Sequence, residues 1–272
     1  MIRSVVVSFS ALAFAACGGK SNGVPTPGGS ATLILQASGG PSGEVAAEVA
    51  LVEPGVGQQE RCSAPVEAGA CQLKSCQLGG IGSPAPGYGN FGPISASAGT
   101  TTVPLVYNGF GYGTVYFPSP ITLGTGGTMR FHGGGGAGVP AFDVSASIPG
   151  LAVITSPVPT PNGATSIDTS QDLSVTWLPI PIGQIQFRLE EGFVPTNSVA
   201  VSIVCTFDGT TGHGVVSQTL LSSLKEMSGT SPTFARLTSE LDVTTVVDGL
   251  TIVTQSFQNS PTTGRDFSVI LQ

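Results

Sequence analysis

Asp172-Leu173-Ser174-Val175-Thr176-Trp177 alternates without a break, with Leu173, Val175 and Trp177 on one side and Asp172, Ser174 and Thr176 on the other. A side-chain period of two belongs to a β-strand with one buried and one wet face. The pattern returns at Ile185, Phe187 and Leu189 against Gln184, Gln186, Arg188 and Glu190, and again at Val199, Val201, Ile203, Cys205 and Phe207. Three neighbouring strands of this kind describe one face of a β-sandwich. The register turns Cys205 inward. It also makes Trp177 a core residue rather than a platform for stacking a sugar.

The flanks extend the reading. Asp208 to Gly214 forms a tight loop, and Gln218 to Met227 is the only convincing helix, with Leu220, Leu221 and Leu224 on one side. Thr238–Val247, Leu250–Phe257 and Asp266–Leu271 are further strands, and Asp248-Gly249 is a hairpin-turn signal. Upstream, Ala31–Ala37, Thr100–Tyr107, Gly113–Phe117, Thr128–His132 and Phe142–Ile148 are strand candidates, while Glu44–Val52 is a strand or a short helix. Gln58–Gly80 carries three cysteines in a disulfide-tied loop or hairpin. Gly82–Pro93 is a turn-rich loop that sets Tyr88 and Phe91 among glycines, a candidate ligand loop. The expectation is an all-β, antiparallel sandwich fold, immunoglobulin-like or jelly-roll-like, with one or two sandwich units and one short helix. Residues 31–137 form a β-rich N-terminal half with the cysteine cluster, and 138–272 a C-terminal sandwich half. The boundary falls in the Gly- and Pro-rich stretch Gly133–Gly163.

Composition agrees. Charged residues are only 9% of the chain, while Gly numbers 39 and Pro 21, a balance that favours strands and turns over helices. At 40% hydrophobic, the chain can bury a core. The net charge is −7 and no Lys/Arg run occurs, which excludes nucleic-acid binding and polybasic attachment to membranes.

The N-terminus adds a location. Arg3 is followed by an uncharged, largely apolar run from Ser4 to Ala16 and then Cys17-Gly18-Gly19. These are the n-region, h-region and small-residue cleavage site of a signal peptide, too short to span a bilayer. Phe14-Ala15-Ala16-Cys17 resembles the bacterial lipoprotein signal, departing from it at Phe14, where Leu is usual. The resemblance implies a signal peptide over 1–16, lipidation of Cys17, and a flexible tether over 17–30. Two or three acyl chains would hold such a protein firmly to a membrane. Gly18, where Asp is absent, resembles lipoproteins sent on to an outer membrane. The implied location is the cell envelope, lipid-anchored at the outer membrane on its periplasmic side or at the cell surface.

With Cys17 acylated, Cys62, Cys71, Cys76 and Cys205 remain, an even number that reads as two disulfides with three possible connectivities. At least one bridge is expected within the Cys62–Cys76 cluster, which leaves Cys205 to the third cysteine or free. Cys71-x4-Cys76 lacks the spacing of a zinc ribbon.

Candidate chemistry is sparse. Gly19-Lys20-Ser21-Asn22-Gly23 matches a nucleophile elbow but lies in the tether, and Gly87–Gly92 matches a dinucleotide fingerprint without the βαβ unit it requires. His132 and His213 are the two histidines; His213 with Asp208 is the hydrolase alternative. Asp168, Asp172, Asp208, Asp242 and Asp248 are scattered and form no calcium-loop motif. No catalytic residue, metal site or cofactor is expected.

Ser170–Trp177, Val204-Cys205-Thr206-Phe207, Cys71…Cys76, Ala98-Gly99-Thr100 and Val139–Phe142 together resemble uncharacterised β-rich bacterial lipoproteins of myxobacterial type. That family brings no activity with it. The expected role is a membrane-anchored, non-catalytic structural, adhesion or binding module. Surface polysaccharide or another envelope protein is the expected partner, and glycan or cell-envelope polymer binding is the alternative.

Overall fold

The computed structural model describes residues 32–39, 45–52, 61–77, 91–107, 112, 115–117, 126–136, 139–160, 163–191, 199–228, 232–259 and 267–272. The signal segment, Cys17, the tether and Tyr88 lie outside them.

The strands are β1 (Thr32–Gly39), β2 (Val45–Val52), β3 (Arg61–Cys62), β4 (Val66–Ala68), β5 (Cys71–Gln77), β6 (Ile94–Ala98), β7 (Thr101–Leu105), β8 (Val115–Tyr116), β9 (Thr128–Gly133) and β10 (Phe142–Ser147). They continue with β11 (Ile154–Ser156), β12 (Thr165–Ile167), β13 (Leu173–Trp177), β14 (Gln184–Glu191), β15 (Val199–Asp208) and β16 (His213–Val216). The helix α1 (Gln218–Ser228) precedes β17 (Thr233–Val247), β18 (Leu250–Asn259) and β19 (Phe267–Leu271). The Glu44–Val52 alternative therefore resolves as a strand.

One twelve-stranded sheet runs β3-β5-β15-β14-β17-β18-β1-β2-β8, with β4, β12 and β19 off that path. Two smaller sheets face it, β10-β9-β6-β7 and β11-β13-β16. Pairing is antiparallel except for β1 with β18 and β12 with β19. The result is an all-β sandwich fold with one short helix.

Two cores lie side by side on the large sheet. In the first, Leu33, Leu35, Leu250 and Ile252 meet Ile94, Met129, Phe131, Phe142 and Val144 of the four-stranded sheet. In the second, Ile185, Phe187, Leu189 and Ile203 meet Val175, Trp177 and Val216 of the three-stranded sheet, with Leu220, Leu221 and Leu224 of α1. The fifteen-residue β17 joins them. Its first part pairs with β14 and its last part with β18.

The cores do not follow the expected split at 137/138. β10 packs with the first core, whereas Cys71 and Leu73 from the N-terminal half pack with the second. Strand pairing across long sequence distances decides membership here, and composition shifts do not report it. β13 also differs from expectation, because it sits in the sheet facing β14 and β15 rather than beside them. Its alternation was sound, since a buried face looks the same from either side of a sandwich.

Trp177 is a core residue. It stacks on Phe207 with ring centroids 5.6 Å apart, and its indole N–H donates to the Gly209 carbonyl at 3.0 Å. Phe207 in turn covers Gly214, where a Cβ would stand 2.6 Å from the ring. Cys205 is buried and bonded to Cys71, its cross-strand neighbour on β5. Cys76 is disulfide-bonded too, and its register partner is Cys62 on β3.

Candidate functional site

Phe91 does not sit on an exposed ligand loop. It is 1% exposed in the first core, and its backbone N–H donates to the Tyr112 hydroxyl at 2.9 Å. That hydroxyl donates onward to the Gly92 carbonyl at 2.6 Å, and burial pushes its pKa upward. An aromatic among glycines reads as a loop residue in sequence, yet its ring is buried in the first core.

The hydrolase alternative fares no better. His213 and Asp208 make no hydrogen bond to one another. The Asp208 carboxylate accepts from the Thr210 backbone N–H at 2.9 Å and from its hydroxyl at 2.8 Å, which hold its carboxyl below the usual range. The His213 ring Nδ1 lies 3.1 Å from the Thr211 carbonyl. These contacts fold the loop upon itself, and the His213 ring is oriented by a backbone carbonyl rather than by Asp208. Among the described residues, no three His, Cys, Asp or Glu side chains converge as metal ligands.

The cluster that does form was not anticipated. On the outer face of the four-stranded sheet, Asp143, His132, Ser95 and Pro104 stand opposite one another across β10, β9, β6 and β7. The adjacent row is Ser145, Arg130, Ser97 and Thr102. Arg130 donates from Nε and Nη2 to the two oxygens of Asp143, at 2.5 and 2.6 Å. This fork, with weaker help from His132, holds the Asp143 carboxyl below its ordinary pKa. The His132 Nδ1 is 3.7 Å from Asp143, and the Ser97 and Thr102 hydroxyls are 2.8 Å apart.

Asp143, His132 and Ser95 are the residue types of a hydrolytic triad, but the geometry is not one. Asp143 is committed to Arg130, and the His–Asp separation exceeds a hydrogen bond. With side chains 41–66% exposed, the arrangement suits hydrogen bonding to something laid across the sheet. The alternation in Thr128–His132 and Phe142–Ile148 places these side chains outward. Their pairing rests on strand register, which the sequence does not display.

A second polar row lies on the large sheet's outer face. Arg188 and Arg236 are direct cross-strand neighbours, with the Glu190 carboxylate 3.6 and 3.8 Å from them. These side chains are more buried than those around Arg130, and one carboxylate is shared by two guanidinium groups.

No protein-family model matches the chain, and no curated protein matches it.

Proposed function

We propose that this chain is a lipid-tethered module of the bacterial cell envelope, cut before Cys17 and acylated there, which binds or supports rather than catalyses. Its contact surface is the outer face of β10-β9-β6-β7. The observation that supports this is the pair of rows Asp143–His132–Ser95 and Ser145–Arg130–Ser97–Thr102. A flat array of hydroxyls beside one cation, one carboxylate and one imidazole matches the donors and acceptors of a hydroxyl-rich polymer. That favours envelope polysaccharide as the partner. The tether rests on Phe14-Ala15-Ala16-Cys17 and on the Gly- and Pro-rich segment behind it.

Two measurements test the two halves. The intact mass of the protein from its native membrane should begin at Cys17 with two or three acyl chains; an unacylated chain would remove the tether. Purified envelope polysaccharide should bind the wild-type protein, and Arg130→Ala with His132→Ala should weaken it about tenfold or more, the scale of one or two charge-assisted hydrogen bonds. Unchanged affinity in that double variant would move the binding surface elsewhere.

A further inference from the structure

We propose that the outer edge of β17 from Leu241 to Val247 is a strand-addition site for an extended, cationic segment of a partner protein. Pairing between β14 and β17 ends at Gln184 opposite Glu240, while β17 continues to Val247. From Asp242 to Val246 every residue is exposed, so both faces of the strand are wet. Alongside, β18 keeps Leu250, Ile252, Thr254 and Ser256 buried. The stretch is therefore the edge of a sandwich rather than a frayed hairpin.

The turn fixes which backbone groups have no partner among the described residues. Asp248 and Gly249 have φ of 46° and 83°, the signs of a type I′ turn, which makes Val247 and Leu250 the first hydrogen-bonded pair. Alternation then commits Leu241, Val243, Thr245 and Val247 to β18. The N–H and C=O groups of Asp242, Thr244 and Val246 point outward. Natural edges are blunted by Lys, Pro or bulges. Here the sequence is Asp-Val-Thr-Thr-Val-Val, with Val243 44% and Val246 65% exposed.

Charge selects the occupant. From Leu237 to Asn259 the chain holds Glu240, Asp242 and Asp248 and no Lys, Arg or His. A second copy pairing antiparallel with matching faces, centred on Thr245, would set each Asp242 against Asp248 of the other copy. Centred on Thr244, it would set Glu240 against Asp248. Like charges directly opposite destabilise a ladder, so these registers are opposed, and in any register two copies bring Glu240, Asp242 and Asp248 of each together with no cation to answer them. A strand with Lys or Arg at alternate positions has each of them answered, and backbone hydrogen bonds supply the rest of the affinity.

The test uses the full chain and two capped peptides of about six residues, ordinary strand length. One alternates Val or Thr with Lys, the other with Glu. The Lys peptide should slow amide exchange at Asp242, Thr244 and Val246 about tenfold or more, an effect that added salt weakens. The Glu peptide should leave exchange unchanged. Thr244→Pro, which removes an outward N–H, should abolish the protection, and Asp242→Lys should transfer it toward the Glu peptide. Protection by neither peptide, or equal protection by both, would overturn the proposal. So would protection without peptide that rises with protein concentration together with a dimer mass, since that makes a second copy the occupant.

Discussion

Glu240 sits on the outer face of β17, where its carboxylate accepts from the Gln186 amide at 3.0 Å. Burial raises its pKa, the neighbouring charge of Asp242 raises it further, and Arg188 pulls it back in part. A carboxyl whose folded pKa lies above its unfolded value binds the proton more tightly when folded. Its ionisation therefore costs stability as pH rises through the folded value, and the cost vanishes below the unfolded value. Glu240→Gln should accordingly raise the urea midpoint at about pH 7, with the gain gone by about pH 4, the ordinary carboxylate range. The side chain is partly exposed, so solvent screening keeps the gain small. A variant less stable at neutral pH would mean the Gln186 hydrogen bond outweighs the burial. Asp143 has the opposite sign: the Arg130 fork lowers its pKa, and what that contributes is lost as pH falls through the folded value.

At the scale of elements, α1 shows how local chemistry and distant structure combine. Its periodic Leu220, Leu221 and Leu224 face the second core, and Ser217 receives the Leu220 N–H on its hydroxyl at 3.4 Å. The stronger cap comes from far away in sequence. Asp172, just ahead of β13, accepts the Gln218 N–H at 2.7 Å and ties the helix start to the three-stranded sheet. Asp172→Ala should cost about 1 kcal/mol, the usual loss for an N-terminal cap, and Asp172→Asn clearly less. Denaturant midpoints measure both, and equal losses would show that charge rather than the hydrogen bond matters. The helix and its inward face were legible because period 3.6 is local, as were the alternations of β13, β14 and β15. The capping role of Asp172 was not, nor was the meeting of Arg130 with Asp143. Both depend on which strands lie together, and turns and long-range pairing set that without leaving a periodic trace. Phe91 illustrates the same limit, since its glycine-rich surroundings advertise a loop while its ring is buried.

At the scale of the molecule, one sheet serves two cores. β17 crosses from one to the other, with Ala235 and Leu237 in the second core and Val247 against the first, so neither core can lose its floor without disturbing its neighbour. The Cys71–Cys205 bridge fastens β5 to β15 within the second core across 134 residues of chain. It thereby brings an N-terminal strand into a core made mostly from the C-terminal half. Shared strands predict one cooperative transition, and the chain carries its own reporter, because its single tryptophan, Trp177, lies in the second core. Phe131 lies in the first core and is fully buried. Phe131→Ala should lose about 3–5 kcal/mol, the cost of emptying a buried aromatic site. If the sheet couples the cores, the Trp177 fluorescence midpoint falls by the same amount as the far-UV circular dichroism midpoint. Phe187→Ala, in the second core, should give the same coincidence from the other side. A Phe131→Ala protein whose fluorescence transition stays at the wild-type midpoint while the dichroism splits would show two units folding separately. β17 would then be a hinge between them rather than a common beam.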